Sequence, residues 1–442
     1  MPTQQTIAER GMAVGLRALN RFASSPVVDR LGLREPAERF LHGASKTTAR
    51  TAASAGRTFA AAQKLGRPAR QPSAKQRALF DLTPTDEQQM LRDSVRDFAL
   101  ERLRPAAEKA DADCAAPPEL LGQANELGLT MVGVPEELGG AMEERSAVTS
   151  VLLGEALGRG DMGIATACLA PAAVSTAISL WGDADQQARY LHEFVSEDVP
   201  AAALALLEPR ALFNPFRLET RARHDGNDYT LSGIKSLVPR AADAELFVLG
   251  AELGDKGPGL FVVESKTPGI SVEPEPAMGV RAGATGTLSF DDVRVSRAAL
   301  LGEGDPEIFK HCVQLARLAW CSLAVGTGQA VLDYVIPYVN ERTAFGEPIA
   351  NRQAVSFTVA NIAIELDGMR LATYRAASRA DQGKPFGREV ALARRLCAER
   401  GMQIGSDGVQ LLGGHGYVKE HPVERWYRDL RAAGVMEGAL LV

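Results

Sequence analysis

Gln410-Leu411-Leu412-Gly413-Gly414-His415-Gly416-Tyr417 is followed, four residues later, by Pro422-Val423-Glu424-Arg425-Trp426-Tyr427-Arg428-Asp429. The first run closes a stretch of helical periodicity from Glu389 to Leu412, and its paired glycines end it. Upstream, the same periodicity fills Phe309 to Asn340 and Ala354 to Gln382, so the last third of the chain predicts a helical domain. Before it the texture changes. Asp228 to Leu237, Glu245 to Ala251, Gly259 to Glu264, Ile270 to Pro274 and Thr285 to Val295 are short and rich in Val, Leu and Phe. Gly, Asp and Pro separate them, which predicts strands. Earlier still, Asp86 to Leu103 is a strongly amphipathic helix with Thr85 or Asp86 as its N-cap. Glu119 to Gly128, Ala147 to Leu157 and Asp185 to Val195 repeat the helical spacing. The order is helical, then strand-rich, then helical, with no internal repeat.

The expected fold is therefore mainly α with a central β-domain. Its expected parts are an N-terminal helical extension (1–80), an α-helical domain (81–200), a β-domain (201–305) and a C-terminal helical bundle (306–442). At 442 residues, with 45% hydrophobic and 24% charged residues, the chain has the composition of a globular protein with a large core. No run reads as long enough to span a bilayer. Ala201 to Leu207 and the stretch around Leu318 to Leu332 read as core helix or strand. The five cysteines lie far apart with no C-x-x-C, and no two of the six histidines stand at i, i+4. Inert thiols and no metal site are expected.

Charge divides the chain. Residues 1 to 80 hold 14 Lys/Arg against 4 Asp/Glu; the remainder holds 35 against 51. Helical spacing recurs in Ile7 to Phe22 and in residues 36 to 63. The segment reads as a transit peptide, as a basic surface for peripheral membrane contact or an acidic partner, or as a helical extension packed on its own protein or on a sister subunit. Nucleic acid is not expected as a partner, because no aromatics interleave with the basic residues.

Residues 80 to 442 resemble the acyl-CoA dehydrogenase family. Leu82-Thr83-Pro84-Thr85-Asp86-Glu87-Gln88-Gln89 is similar to the family's first-helix opening, and Val134-Pro135-Glu136-Glu137-Leu138-Gly139-Gly140 to its "VPEEYGG". Phe290-Asp291-Asp292-Val293-Arg294-Val295 resembles "FDDVRVP", and Arg342-Thr343-Ala344-Phe345-Gly346-Glu347-Pro348-Ile349 resembles "RxxFGxPI". The two runs quoted first resemble "QxxGGxGY" and "PVERxYRD".

The resemblance implies an α-domain, a β-barrel-like domain and a four-helix bundle. It also implies FAD-dependent oxidation of an acyl-CoA thioester to the trans-2-enoyl-CoA. Glu437, in Met436-Glu437-Gly438-Ala439, stands at the family's base; a C-terminal surface glutamate is the other reading. Arg342, Phe345, Gln353, Gln410, Gly413 and Gly414 stand where the family holds the pyrophosphate and adenosine of a neighbouring subunit's FAD. Arg317 stands where it keeps an arginine for the CoA tail.

Two segments depart from the family. Its "TEPxAGSD" reads Leu207-Glu208-Pro209-Arg210-Ala211-Leu212-Phe213-Asn214, and its "GxKxWITNG" reads Gly233-Ile234-Lys235-Ser236-Leu237-Val238-Pro239-Arg240-Ala241. Donors to the flavin ring are lost in both. The resemblance then implies either a homo-oligomer with an altered ring pocket or a hetero-oligomer. In the second case this chain supplies the adenosine half of an FAD site to a sister subunit. A non-enzymatic acyl-CoA-binding relative is a third reading. An electron-transfer flavoprotein is the implied electron acceptor. The expected compartment is the cytoplasm, with the mitochondrial matrix left open by the basic start.

Overall fold

The computed structural model describes residues 82–140, 145–196 and 198–440. The expectations for residues 1 to 80, helices and membrane contact included, lie outside the described residues. Among the described residues six helices come first: α1 (Asp86–Phe98), α2 (Arg104–Asp113), α3 (Pro118–Glu126), α4 (Ala147–Gly160), α5 (Met162–Trp181) and α6 (Ala184–Phe194). Polar caps start several of them. The Thr85 hydroxyl accepts from the Gln88 amide while Gln88 Oε1 accepts from the Thr85 amide, a reciprocal box. Asp183 and Gln186 repeat the device at α6, and Ser146 and Asp161 cap α4 and α5. A π-helical turn, Ala99–Leu103, joins α1 to α2, so the first helix runs further than its periodicity suggested.

Helix α5 was not among the predicted helices. It is buried on nearly every side, so it has no polar face to mark a period, and Pro171 stands inside it. Its mean hydropathy is 1.6, which corrects the expectation that no run could span a bilayer. By length and composition α5 and the later helix Pro306–Glu341 both qualify; both are mostly buried inside the fold.

Seven strands follow: β1 (Ala202–Ala205), β2 (Arg221–Asp225), β3 (Asp228–Val238), β4 (Leu246–Glu252), β5 (Pro258–Glu264), β6 (Ile270–Pro274) and β7 (Gly286–Ser296). They form one curled sheet in the order β1-β4-β2-β3-β7-β6, with β5 on β4. Only β1–β4 and the single β2–β4 pair are parallel. β2 was not assigned in the sequence as a strand, and β1 falls in Ala201 to Leu207, which read as core helix or strand. Each is only four or five residues long, and β2 is polar and largely exposed. β3 pairs with β7 but slips register between Lys235 and Val238, where Leu237 takes φ +50. That irregularity re-aims residues 236–239 out of the ladder.

The last part holds α7 (Pro306–Glu341), a hairpin of β8 (Thr343–Ala344) and β9 (Glu347–Pro348), α8 (Gln353–Asp381), α9 (Gly387–Leu412), α10 (Val423–Asp429) and α11 (Ala432–Val435). α7 is the axis of this region and packs closely on α4. A Cβ on Gly326 would lie 2.1 Å from the Glu155 carbonyl oxygen, so only glycine permits that crossing. The close approach sets Trp320 and Leu323 of α7 against Leu153 and Leu157 of α4 in one apolar cluster.

Candidate active site

The site is assembled around a turn that most residues would avoid. After α11 the chain passes through Glu437 at φ +57 and Gly438 at φ +105. The left-handed conformation costs a non-glycine residue roughly 1–2 kcal/mol. Its neighbours hold it. Arg317 donates to the Glu437 carbonyl oxygen from Nε at 3.0 Å and from Nη2 at 2.9 Å. Arg394 Nη2 donates to the Met436 carbonyl at 2.8 Å and also to that of Gly438. The Ala439 amide donates to the Phe213 carbonyl at 2.8 Å. A Cβ on Gly438 would meet Pro215 Cδ at 2.6 Å, which explains the glycine.

This fixed backbone aims a carboxylate inward. Glu437 is 7% exposed, which sets aside the surface-glutamate reading. Oε1 lies 3.5 Å from Trp320 Nε1, and Oε2 is buried with no hydrogen-bond partner. Burial pushes the carboxyl pKa up; the Trp320 hydrogen bond and the charges of Arg317, Arg394 and Lys235 oppose that rise without cancelling it.

Glu437 faces a cavity of about 200 Å³. α4 and α5 supply one wall, with Val151, Gly154, Leu169 and Ala173; α7 supplies another, with Ala316, Ala319 and Trp320. Leu207, Ser236, Leu237 and Pro239 close the sheet side. A narrow apolar space beside a buried carboxylate suits an alkyl chain whose reacting carbon stops at the acid.

Behind the sheet wall lies a second buried pair. Lys235 is 0% exposed, and its Nζ lies 3.0 Å from Glu208 Oε1. Glu208 also accepts from the amides of Glu219 and Thr220. These bonds and Lys235 hold its carboxyl low against burial, while burial brings the Lys235 pKa down to about 8. Glu208, Lys235, Trp320 and Arg394 were not picked out in the sequence as site residues. A lysine inside a strand pattern was the available signal for one of them.

Arg317 is 8% exposed, donates to the Glu437 carbonyl, and has Phe216 under its guanidinium at 5.7 Å. Those contacts differ from the open arginine that a CoA tail needs. Arg342, Phe345, Gln353, Gln410, Gly413 and Gly414 are exposed, in the hairpin after α7, at the start of α8 and at the end of α9. Tyr338, one turn before Arg342, reaches the Leu412 carbonyl and His415 beside the glycines. Phe345 is 94% exposed beneath Arg352 at 5.0 Å. A Cβ on Gly413 or Gly414 would meet nothing within 4 Å, so bare backbone faces open space. A cation, an exposed aromatic and bare backbone fit the phosphate and adenosine of a dinucleotide.

The sheet wall does not fit a flavin ring in the same way. Leu207, Leu237 and Pro239 carry no side-chain donor. Glu275 takes the Ser236 hydroxyl at 2.6 Å, the Leu237 amide at 2.7 Å and the Thr287 hydroxyl at 2.9 Å. The donors that a ring would use are therefore absent or already bonded. Among the described residues there is no cluster that would hold a metal ion.

Comparison with known proteins agrees with this architecture. The N-terminal, middle and C-terminal domain models of acyl-CoA dehydrogenases match residues 85–198, 203–293 and 307–440 in that order. The chain is 35% identical to the mitochondrial short-chain specific acyl-CoA dehydrogenase of Bos taurus over 362 residues, covering 79% of this chain and 86% of that one. The butyryl-CoA dehydrogenase structure from Megasphaera elsdenii superposes with a TM-score of 0.76 at 28% identity, over 82% of this chain and 97% of that one. A glutaryl-CoA dehydrogenase from Mycobacterium smegmatis, solved with FADH2, gives 0.74 at 25% identity, over 82% and 92%. The chain belongs to the acyl-CoA dehydrogenase family, and FAD-dependent oxidation of acyl-CoA thioesters is the activity supported at the level of that family.

Proposed function

We propose that this chain binds an acyl-CoA thioester in the cavity beside Glu437, and that Glu437 takes the proton from the α-carbon as the thioester becomes the trans-2-enoyl-CoA. The observation that carries this reading is Glu437 itself, which lines an apolar cavity and whose Oε2 is buried without a hydrogen-bond partner. An unsatisfied buried carboxylate costs a few kcal/mol and gives the fold nothing in return. A raised pKa keeps such a group basic enough to accept a proton. Trp320 orients the carboxylate from one side, while Arg317 and Arg394 hold its turn. The apolar walls keep water from the reacting carbons.

In this family FAD supplies the acceptor for the β-hydride. The exposed set of Arg342, Phe345, Gln353, Gln410, Gly413 and Gly414 is our candidate for holding its pyrophosphate and adenosine. Along α7, Trp320 and Arg342 stand 22 residues apart, about 33 Å of helix. That separation favours a dinucleotide shared between two subunits, each giving one half. The donor-poor wall at Leu207, Leu237 and Pro239 favours a sister subunit that keeps the better ring pocket. The intact Glu437 argues against a silent partner.

The test is flavin content and turnover of the purified chain, alone and co-expressed with a second family member from the same genome. Activity that needs the partner but is lost with Glu437→Gln in this chain supports the reading. Full activity of Glu437→Gln in every combination rejects it.

A further inference from the structure

Backbone strain in the described chain gathers in two short segments that touch each other. Leu237 and Arg240 take φ +50 and +49, and Val280 and Ala284 take +55 and +48. These are four of the ten non-glycine residues with positive φ among the described residues. Conformations of this kind persist only where neighbours over-determine them, and they cluster where function needs a fixed geometry. The first segment, 236–240, gives Ser236, Leu237 and Pro239 to the cavity wall. The slip of β3 against β7 takes part of it out of the ladder. In place of ladder bonds, Glu275 holds Ser236 and Leu237, and the Arg240 amide donates to the Gly283 carbonyl at 2.9 Å.

The second segment, 278–284, is tied down by α10. Asp429, 1% exposed, accepts from the Val280 amide through Oδ1 at 2.6 Å. Arg428 Nη1 donates to the Met278 carbonyl at 2.9 Å. A Cβ on Gly279 would lie 2.5 Å from the Arg428 carbonyl oxygen, so the two backbones are in direct contact there. Arg281 Nε adds a bond to the Asp111 carbonyl on α2 at 2.9 Å. α10 also leads to the base: Glu437 lies eight residues beyond Asp429, through α11. Val280 and Ala282 share one apolar cluster with Met436 and Trp320, and Leu237 packs at its edge. Close-packed groups of this kind transmit a displacement instead of absorbing it.

We propose that Asp429 is a positioning residue for the reaction at Glu437: through Val280 and Gly283 it fixes the wall at 236–240 relative to the base. The inference rests on the cavity being the acyl site. Glu437 and that wall border the same cavity, but the wall belongs to the sheet and Glu437 to the C-terminal helices. α10 is joined to both, by the covalent chain to Glu437 and by the Asp429–Val280 bond to the wall. Removing a proton from an α-carbon requires contact distance to the carboxylate, and a misplacement of about 1 Å can cost a hundred-fold in rate. Binding of the apolar chain depends on buried area and tolerates such a shift. Loss of this tie should therefore fall on kcat and spare KM.

The test joins hydrogen exchange of the full chain, read by mass spectrometry, with steady-state kinetics in whichever subunit combination turns over. In wild type under mild denaturant, peptides covering 236–240 and 278–284 should open together. Asp429→Ala should speed exchange in both, and lower kcat roughly ten- to a hundred-fold with KM little changed. Asp429→Asn, which keeps an acceptor for the Val280 amide, should restore protection and most of kcat. A role confined to stability gives faster exchange at 278–284 alone, with the kinetic constants of the folded fraction unchanged. That result overturns the proposal and leaves the acyl-CoA reading intact. Separate opening of the two peptides in wild type overturns it too, and needs no variant to fold. Absence of turnover in wild type, alone and with a second family member, overturns the acyl-CoA reading and this inference with it.

Discussion

Both nitrogens on one edge of the Arg317 guanidinium donate to a single acceptor, the backbone carbonyl oxygen of Glu437, at 3.0 and 2.9 Å. The arginine therefore grips the main chain of the candidate base and leaves its carboxylate free. Arg394 grips the carbonyls on either side, at Met436 and Gly438. Two buried cations thus stabilise a left-handed residue in a turn with only three described residues after Glu437. Their charges also oppose the upward push that burial gives the carboxyl.

Arg317→Lys keeps the charge but loses the two-pronged grip. Hydrogen bonds to charged groups contribute about 1.5–3 kcal/mol, so kcat is expected to fall roughly ten- to a hundred-fold. KM for the acyl-CoA should change little. A variant with unchanged kcat and a strongly raised KM would instead place Arg317 on the CoA tail, as the family resemblance implies. Steady-state kinetics of the variant separates the two.

Glu437→Gln should abolish turnover and stabilise the fold. The folded state raises this carboxyl above its unfolded value, so the folded chain binds a proton that the unfolded chain has released. Stability is therefore lost as pH rises above the unfolded pKa, about 4.3, and the whole loss is present above the folded pKa. Glutamine keeps the shape without the charge. The apparent Tm of Glu437→Gln should exceed that of wild type at neutral pH, and the gap should close towards about pH 4. A lower Tm at neutral pH would mean that the surrounding cations need the carboxylate's charge.

The order of domains was legible because amphipathic helices such as α1 and short strands between Gly, Asp and Pro carry local periods. Glu437 was singled out as a candidate through its motif, and the structure buries it on the cavity wall. What holds it was not legible. Arg317 and Arg394 lie 120 and 43 residues before it in the chain and meet only through the packing of α7 and α9. Arg317 illustrates the limit: its position matched the family, while its contacts depend on a turn no pattern describes. α5 escaped for the opposite reason, since a helix buried on almost all sides has no periodicity to read. The loss of ring donors at Leu207, Leu237 and Pro239 was visible in the letters, but the capture of the Leu237 amide by Glu275 was not.

Restoring hydroxyl and aromatic groups on the sheet wall is expected to strengthen flavin binding. Leu207→Thr, Leu237→Trp and Pro239→Thr together return two hydroxyls, a backbone N–H and an indole to the cavity. Each hydrogen bond regained contributes about 0.5–1.5 kcal/mol, so affinity should rise at least ten-fold. The visible absorption spectrum and flavin per subunit after denaturation give the answer. No gain in flavin would mean that side-chain donors are not what this wall lacks.

Asp429 should make stability fall with rising pH through a second, independent cluster. It is buried, and Oδ1 accepts from the Val280 amide at 2.6 Å. Burial first, then the charge of Asp161, pushes its carboxyl up to about 8, against the pull of Arg428 and Arg425. Those arginines are engaged elsewhere: Arg425 with Asp161 at 3.2 Å, and Arg428 with both Asp111 oxygens at 2.9 Å and with Glu424. An unfolded aspartate ionises near pH 3.9. Between that value and about 8 the folded chain holds a proton the unfolded chain has lost, so stability declines as pH rises across the interval and the full loss is present above it. Asp429→Asn keeps the acceptor for Val280 and removes the titration. Its apparent Tm, measured at one scan rate from about pH 5 to about pH 8, should fall less steeply than that of wild type. Parallel curves would show that Asp429 is ionised throughout, its charge balanced by the arginines on α10.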